Sequence, residues 1–188
     1  MQNIILFGGG RESLLNLHFT PGRLLKDTVL VVINYGQKSY PKELEATIYY
    51  STLYKVKYEV MQISIKVPKG IKNGSNTDTH TTMRNVLFVS HVINYYYKGD
   101  KMQVLLGTTN NRPYNDGHTP FLREFSKLIN KLYPKVILNS YTAQLSINNT
   151  YKILLKEKVD ISHIWFCDKN GETMCGKCFK CVNLKKYL

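Results

Sequence analysis

The sequence predicts an α/β fold in which helices flank a parallel β-sheet and a short cysteine-rich segment follows at the carboxyl end. Short runs of β-branched and apolar residues alternate with longer stretches of helical periodicity. Strands that alternate with helices of this length form parallel sheets with right-handed crossovers. From about Trp165 the chain changes character and holds every cysteine. We therefore expect an α/β domain over residues 1–164 and a metal-binding segment over residues 165–188.

Four short apolar runs are predicted as strands. Residues 3–7 and 29–34 are continuous and rich in β-branched side chains, as in strands buried on both faces. Residues 58–63 and 102–106 are predicted as strands on the same grounds.

Three stretches have the periodicity of helices: residues 41–54, 83–97 and 119–132. The second helix follows Thr81-Thr82. The third is predicted to have Thr119 as its N-cap and Pro120 at its first position, because Pro lacks the N–H that is unsatisfied there in any case.

The loops at the carboxyl ends of the strands are where we expect function, because parallel sheets bind ligands there. These loops are residues 8–13, 35–40, 64–82 and 107–118. The stretch Lys66–Thr82 is polar and aperiodic, which indicates a mobile loop or lid.

The composition is that of a globular protein with a strongly basic balance. Hydrophobic residues make up 43% of the 188 residues and charged residues 21%, and the formal net charge is +13. Such a charge favours acidic partners such as nucleic acid or ATP. The lysines are scattered rather than clustered, however, and an AT-rich genome produces the same bias. Nucleic-acid binding is therefore not favoured, although the charge leaves it open.

No segment indicates a membrane or an export signal. No apolar run approaches the ~20 residues of a membrane span, and the first residues have neither a basic region nor a cleavage site. We therefore expect a cytoplasmic protein, in the host cytoplasm if the source is viral. In such a reducing compartment, thiols serve metals or catalysis more often than disulfides.

The cysteines predict a metal site. Their spacing suits four thiolate ligands around one ion, most simply a structural zinc with no open position. Lys177 and Lys180 would partly offset the negative charge of the thiolates. An iron–sulfur cluster is the competing metal centre. The ligands are Cys167, Cys175, Cys178 and Cys181.

A glycine-rich turn follows the first predicted strand. Gly8-Gly9-Gly10 leads through Arg11 and Ser13 into an apolar helical pattern. Such a turn exposes backbone N–H groups to an anion at a helix N-terminus. The alternative is a tight strand-to-helix turn without a ligand, and this segment alone does not decide between the two.

Several segments together resemble the 7-cyano-7-deazaguanine synthases (QueC family) of the PP-loop (N-type) ATP pyrophosphatase superfamily. The glycine turn stands in the place of the superfamily's Ser-Gly-Gly-x-Asp-Ser. The segment Asn34-Tyr35-Gly36-Gln37, followed by Glu43-Leu44-Glu45-Ala46, is similar to the family's Asp-Tyr-Gly-Gln and its Glu-Leu-Glu-Ala helix.

Further matches follow in the family's order across nearly the whole chain. Arg84-Asn85 opens a predicted helix, as in the family's Arg-Asn motif. Leu106-Gly107-Thr108, followed by Tyr114-Asn115-Asp116, is similar to Ile-Gly-Val-Asn and Tyr-Pro-Asp. Trp165-Phe166-Cys167 and the closing cysteines resemble the family's Trp-Ser-Cys and its zinc ligands.

The resemblance implies a Rossmann-like (HUP-type) domain and an ATP-dependent ligase that converts 7-carboxy-7-deazaguanine and ammonia into a nitrile through an acyl-adenylate. Magnesium would offset the charge of the nucleotide, and a homodimer is left open. The substrate would lie against Arg84, Asn85, Gly107 and Asp116. The implied ATP site comprises Phe7, Gly8, Gly9, Gly10, Arg11, Glu12, Ser13, Tyr35, Gly36 and Gln37.

The chain departs from the family pattern at its glycine turn. Gly8 stands where the superfamily has Ser, and Glu12 where it has Asp. Two alternatives therefore remain open: a related ligase with another acceptor amine, and a non-catalytic module that binds nucleotide or 7-deazaguanine.

Overall fold

Five parallel strands form one sheet in the computed structural model, which describes residues 1–65, 83–110 and 116–184. In chain order they are β1 (Gln2–Leu6), β2 (Thr28–Asn34), β3 (Lys57–Gln62), β4 (Met102–Leu105) and β5 (Val136–Asn139). Their order across the sheet is β3-β2-β1-β4-β5, and each neighbouring pair is parallel. The predicted Rossmann-like fold class is thereby confirmed.

Seven helices lie within the same described ranges. They are α1 (Arg11–His18), α2 (Gly22–Leu25), α3 (Tyr40–Tyr54), α4 (Arg84–Tyr96), α5 (Thr119–Leu132), α6 (Ile147–Lys156) and α7 (Phe179–Leu184). None of the helices in the described part of the chain is long and apolar enough to cross a membrane.

The central strands β1, β2 and β4 are buried on both faces, which explains their continuous apolar runs. In β1, Ile4 and Ile5 are both fully buried, but they belong to different hydrophobic clusters because successive side chains point to opposite faces. Helices α4 and α5 complete the cluster of Ile4, and α1, α3 and α6 complete that of Ile5. The strand β1 is therefore central to both cores.

The predicted elements agree closely with those observed. Helix α5 has the predicted bounds, and α3, α4 and the four strands differ from prediction by a residue or two at their ends. Strand β5 and helix α6 were not predicted. β5 has only four residues, too short for periodicity to identify it. α6 follows a local feature: the Ser146 hydroxyl caps it by accepting from the N–H of Asn149.

The predicted N-cap of α5 is wrong by one residue. The N-cap is His118, whose Nδ1 accepts from the N–H of Phe121 at 3.2 Å, so that Thr119 is already helical. The Thr119 hydroxyl instead donates to the carbonyl of Ala143. Thr119 was predicted as the N-cap because it is a hydroxyl residue before Pro. Its hydroxyl does not cap the helix because it bonds to a residue that is distant along the chain.

Parts of two predicted loops lie outside the described residues. The predicted lid, Lys66–Thr82, is one of them. Tyr114 and Asn115, which belong to one of the quoted motifs, lie within the other, residues 111–115.

The segment before Trp165 is fixed to helix α3 by polar and aromatic contacts. The Tyr50 hydroxyl donates to the carbonyl of Asp160 at 3.0 Å, and the Tyr49 hydroxyl donates to the Asp160 carboxylate at 2.5 Å. The ring of His163 stacks on that of Tyr49, with centroids 3.6 Å apart. The Tyr49 hydrogen bond and those from Ser162 lower the pKa of Asp160 to about 2. These contacts position the chain at the carboxyl edge of the sheet.

The turn between β1 and α1 depends on a glycine at position 9. Gly9 has a φ of +66°, and a Cβ on it would lie 2.8 Å from the Cβ of Ala46 in α3. Its carbonyl accepts from the N–H of Trp165 at 2.8 Å. Gly9 thus lets α3 approach the turn and ties the carboxyl-terminal segment to it.

Gly9→Ala should lower the free energy of unfolding by about 2 kcal/mol or more, because it combines left-handed strain with overpacking against Ala46. Gly8→Ala is the matched control, since the nearest atom to its added Cβ is 3.8 Å away; its effect should stay within about 0.5 kcal/mol. Urea unfolding of the two variants measures the difference. Equal stabilities would contradict the close approach at Gly9.

Candidate functional site

The strand order reverses direction between β1 and β4, and a cavity opens at the carboxyl ends of these strands. Open α/β sheets bind ligands at such a switch point. The cavity has a volume of about 190 Å³. Its wall combines the glycine turn, the ends of β1 and β2, the start of α4 and the start of the cysteine segment. Predicted site residues from separate segments of the chain therefore line one cavity, but Gly9, Gly36, Gln37 and Asp116, although described, are not among the lining residues.

The N-terminus of α1 forms one side of the cavity. Gly10 is the N-cap, and the first helical hydrogen bond runs from the N–H of Leu14 to its carbonyl at 3.0 Å. The Ser13 hydroxyl donates to the same carbonyl at 2.9 Å. Gly10 has no side chain that could cap the helix, so the backbone N–H groups of the first turn remain suited to an anion.

Arg11 and Glu12 form a buried ion pair beside this helix start. Arg11 Nη2 lies 2.8 Å from Glu12 Oε1, and Arg11 Nη1 donates to the hydroxyl of Tyr151 in α6 at 3.0 Å. Burial lowers the pKa of Arg11, but Glu12 and Tyr151 outweigh this effect and hold that pKa above its ordinary value. The guanidinium is therefore charged and anchored from two sides.

The turn after β2 is organised by Gln37. Its Nε2 donates to the carbonyl of Ile33 at 2.7 Å and to Oε2 of Glu43 at 2.9 Å, and its Oε1 accepts from the N–H of Tyr35. Ser39 donates to the other oxygen of Glu43 at 2.7 Å. Of these residues, Tyr35 and Glu43 line the cavity. Glu43 was quoted in a sequence motif but was not predicted as a site residue.

The start of α4 brings Arg84 and Asn85 to the cavity wall. Arg84 Nη1 donates to the Tyr35 hydroxyl at 3.2 Å. The N–H of Asn85 donates to Oδ2 of Asp116 at 2.9 Å, so this carboxylate caps the helix. Among the described residues, Asp116 is not one of those that line the cavity.

Gly107 lies two residues after the end of β4 and lines the cavity, where the chain passes close to α1. A Cβ on Gly107 would lie 3.1 Å from the Cβ of Glu12. The glycine therefore has a packing reason to be there. Its predicted contact with the substrate stays a prediction.

The cysteine segment supplies the rest of the wall. Trp165, Phe166, Cys167 and Lys180 line the cavity together with Phe88 of α4. Apart from Cys167, which was predicted only as a metal ligand, sequence reasoning missed these residues as cavity residues. Trp165 and Phe166 directly precede Cys167, but no local pattern shows that this segment folds back onto the glycine turn.

The four cysteine thiols meet in one cluster that can hold a metal ion. Their Sγ atoms all lie within 4.8 Å of one another, and two of the pairs, Cys175–Cys181 and Cys167–Cys178, are 4.0 Å apart. A tetrahedral ion with sulfur at about 2.3 Å needs separations of roughly 3.8 Å. The cluster therefore fits one four-coordinate ion.

The surroundings of one of the four thiols, that of Cys175, favour its deprotonated form. Backbone N–H groups of Lys177 and Cys178 donate to Cys175 and lower the pKa of its thiol to about 6. Burial instead raises the pKa of Cys167 and that of Cys181. A bound cation would offset this cost, because the thiolate is the form that ligates metals.

A family model described as queuosine biosynthesis protein QueC matches residues 2–187. The match extends over nearly the whole chain. The glycine turn, the cavity wall and the cysteine cluster thus fall within a single family pattern.

Three relatives that are named 7-cyano-7-deazaguanine synthase align with the chain at low identity. That of Carboxydothermus hydrogenoformans is 24% identical, and the alignment covers 97% of this chain and 96% of the relative. That of Caldicellulosiruptor saccharolyticus is 28% identical over 97% and 88%. That of Desulfitobacterium hafniense is 24% identical over 79% and 72%.

Metal removal should unfold the cysteine segment, because binding energy at such a site is folding energy. Trp165, the single tryptophan of the chain, packs against Cys167 and Cys181 and reports this change. We expect about one ion per chain by elemental analysis, and a red shift of Trp165 fluorescence when a chelator strips it. Cys178→Ser should reproduce the shift, whereas Lys177→Ser, in the same Cys-x-x-Cys segment, should not. Unchanged emission after complete removal of metal would contradict this.

Proposed function

Because the chain belongs to the QueC family of queuosine biosynthesis proteins, we propose that it is an ATP-dependent ligase that converts 7-carboxy-7-deazaguanine and ammonia into 7-cyano-7-deazaguanine. The structural observation that carries the proposal is the start of α1 at the switch point. It is a helix N-terminus without a side chain at its N-cap, and it borders a cavity that other motifs of the same family pattern also line.

In this proposal the phosphates of ATP lie against the glycine turn. The backbone N–H groups at the start of α1 would stabilise the negative charge of the departing pyrophosphate, where the helix dipole adds to them. Glu12 and Glu43 are carboxylates on the same cavity wall, and Mg²⁺ is commonly held by one or two carboxylates together with substrate phosphates. Tyr35, with Gly36 and Gln37 shaping its turn, would bound the nucleotide on the β2 side.

The reaction follows from the poor electrophilicity of a carboxylate. A carboxylate oxygen attacks the α-phosphorus of ATP and pyrophosphate leaves. Ammonia then attacks the acyl carbon, AMP leaves, and an amide results after loss of a proton. The amide oxygen attacks a second ATP in the same way and pyrophosphate leaves; loss of AMP and of both protons on the nitrogen then gives the nitrile. The cavity must therefore hold the two reactants with the carboxyl group beside the α-phosphate.

The deazaguanine would lie between the loop after β4 and the start of α4. Arg84 and Asn85 supply donors there, and Gly107 permits close approach. The second oxygen of the Asp116 carboxylate has the right chemistry to accept from the amidine edge of a guanine-like base. Asp116 would then serve both the helix α4 and the ligand.

We infer that the metal is zinc and that its role is structural. Four protein ligands complete a tetrahedral zinc site and leave no open position for catalysis. The sulfur atoms lie too close together to surround a multi-iron cluster, whose cysteine ligands are divided among two or four iron atoms. The elemental analysis described above identifies the ion, and a brown iron-containing protein would contradict the inference.

A second candidate function is a module that binds nucleotide without turnover. The observation that favours it is the pairing of Glu12 with Arg11 beside the glycine turn. A carboxylate engaged in this way is less available to a metal ion than the family's Asp. A related ligase that uses another acceptor amine is distinguished from both by its products.

The proposed ligase should release AMP and pyrophosphate from ATP only when 7-carboxy-7-deazaguanine or its amide is present. Mass spectrometry of a reaction with magnesium and ammonium should show the nitrile. An adenylate that forms but ignores ammonium would indicate another acceptor. Binding of ATP without any AMP would favour the non-catalytic module.

Asp116→Asn should separate the two roles of this residue. The amide oxygen can still accept from the N–H of Asn85, so stability should change by less than about 1 kcal/mol, whereas Asp116→Ala removes the cap and costs more. Binding of 7-carboxy-7-deazaguanine should weaken by about 10-fold or more in both variants, because a charged acceptor is lost. Calorimetric titration and urea unfolding measure these effects. Unchanged binding to Asp116→Asn would leave Asp116 as a helix cap alone.

A further inference from the structure

We propose that Lys180, which lies between two metal-ligating cysteines, binds an oxyanion of the substrates in the cavity. The inference rests on the proposed function for the identity of its ligand: the phosphate groups of ATP or the carboxylate of the deazaguanine. Lys180 lines the cavity, although it is distant in sequence from the other motifs there.

The position of Lys180 is fixed at both ends. Its backbone directly precedes Cys181, whose side chain is buried in the metal cluster. Its Nζ lies 2.6 Å from Oδ1 of Asp168, whose side chain is only 10% exposed, while that of Lys180 is 36% exposed. A lysine held in this way loses less conformational entropy on binding a ligand than a free surface lysine does.

The other charged side chains that line the cavity explain why a further cation such as Lys180 would help to bind an anionic ligand. Arg11 is neutralised by Glu12 at 2.8 Å, and the Arg84 guanidinium donates to the Tyr35 hydroxyl. A second carboxylate, that of Glu43, also borders the cavity. Because a hydroxyl does not neutralise a guanidinium, Arg84 contributes positive charge to the cavity, and the polyanion ATP would gain from a further cation beside it. An ammonium group has three donors, so Lys180 can keep its contact with Asp168 and donate to a ligand oxygen as well.

If Lys180 binds the oxyanion, the metal ion would affect ligand binding as well as the stability of the segment. The ion would hold the backbone that carries a ligand-binding cation, in addition to stabilising the segment. Lys177 is a suitable control, because it lies in the same short segment but is exposed and is not among the described residues that line the cavity.

The experiment compares Lys180→Met, Lys177→Met, Lys180→Arg and Asp168→Asn, each checked first for metal content and for Trp165 fluorescence equal to the unmutated protein. Isothermal titration with ATP alone and with 7-carboxy-7-deazaguanine alone measures each ligand separately. Lys180→Met should weaken one of the two by about 10-fold, the loss of a hydrogen bond to a charged group. Lys180→Arg should restore part of it, and Lys177→Met should bind both ligands normally.

Asp168→Asn separates ligand binding from a structural ion pair. If Lys180 binds the oxyanion, Asp168→Asn should leave binding unchanged or tighter, because the asparagine oxygen can still accept from the ammonium group while the charge that offset it is removed. If the pair only stabilises the fold, both Lys180→Met and Asp168→Asn lower stability and neither changes affinity, which overturns the inference. A loss confined to ATP identifies the phosphates, and a loss confined to the acid identifies the carboxylate.

The same measurements keep this inference separate from the proposed ligase activity. If the unmutated protein binds the ligands but forms no nitrile, the ligase proposal fails while a weakened Lys180→Met still supports the oxyanion contact. If nitrile forms and Lys180→Met keeps the affinities and KM of the unmutated protein, the ligase stands and the role of Lys180 is refuted. Failure of the unmutated protein to bind either ligand refutes it as well.

Discussion

The arrangement of the cavity depends on the absence of a side chain at Gly9. A left-handed backbone there turns the chain from the central strand β1 into α1. The missing Cβ admits Ala46 of α3, and the carbonyl accepts from the N–H of Trp165. One residue thus sets the direction of the helix whose N-terminus borders the cavity, the distance to α3, and the place where the cysteine segment docks. A larger residue would disturb all three, because backbone and packing constraints coincide at this position.

The cysteine segment has four thiols that can hold a metal ion, where the α/β domain has large apolar clusters. Its buried cluster consists of Trp165, Cys167 and Cys181, whereas each face of the sheet has a cluster drawn from several helices. So few apolar groups cannot offset the entropy of ordering the segment. The contacts of Tyr49 and Tyr50 with Asp160 fix the residues just before this segment, and an ion held by the four thiols would order the segment itself. The wall that this segment contributes to the cavity would therefore depend on the bound ion for its rigidity.

Sequence reasoning succeeded where the information is local. The buried strands β1 and β2 follow from continuous apolar runs, and the cysteine spacing leads directly to the observed sulfur cluster. It failed where a partner lies far along the chain. Tyr151 meets Arg11 across most of the sequence, and Lys180 reaches the cavity only because the segment folds back onto Gly9. Strand β3 was predicted at the right place, but its predicted burial is wrong. It lies at the edge of the sheet, and most of its side chains are at least partly exposed.

The two departures from the family's glycine turn are best understood together with their neighbours. A side chain at position 8 would face Oε2 of Glu43, so the family's Ser would place a hydroxyl there, and Gly8 removes that donor while leaving the backbone more open. At position 12 the longer carboxylate pairs with Arg11, a guanidinium with several donors that is anchored on Tyr151. A phosphate arriving at the start of α1 would therefore lose a hydroxyl and meet a cation whose charge it must share with Glu12. The turn therefore still offers donors to an anion, although they are not the same ones as in the family pattern. The backbone N–H groups at the start of α1 depend on neither of the two side chains.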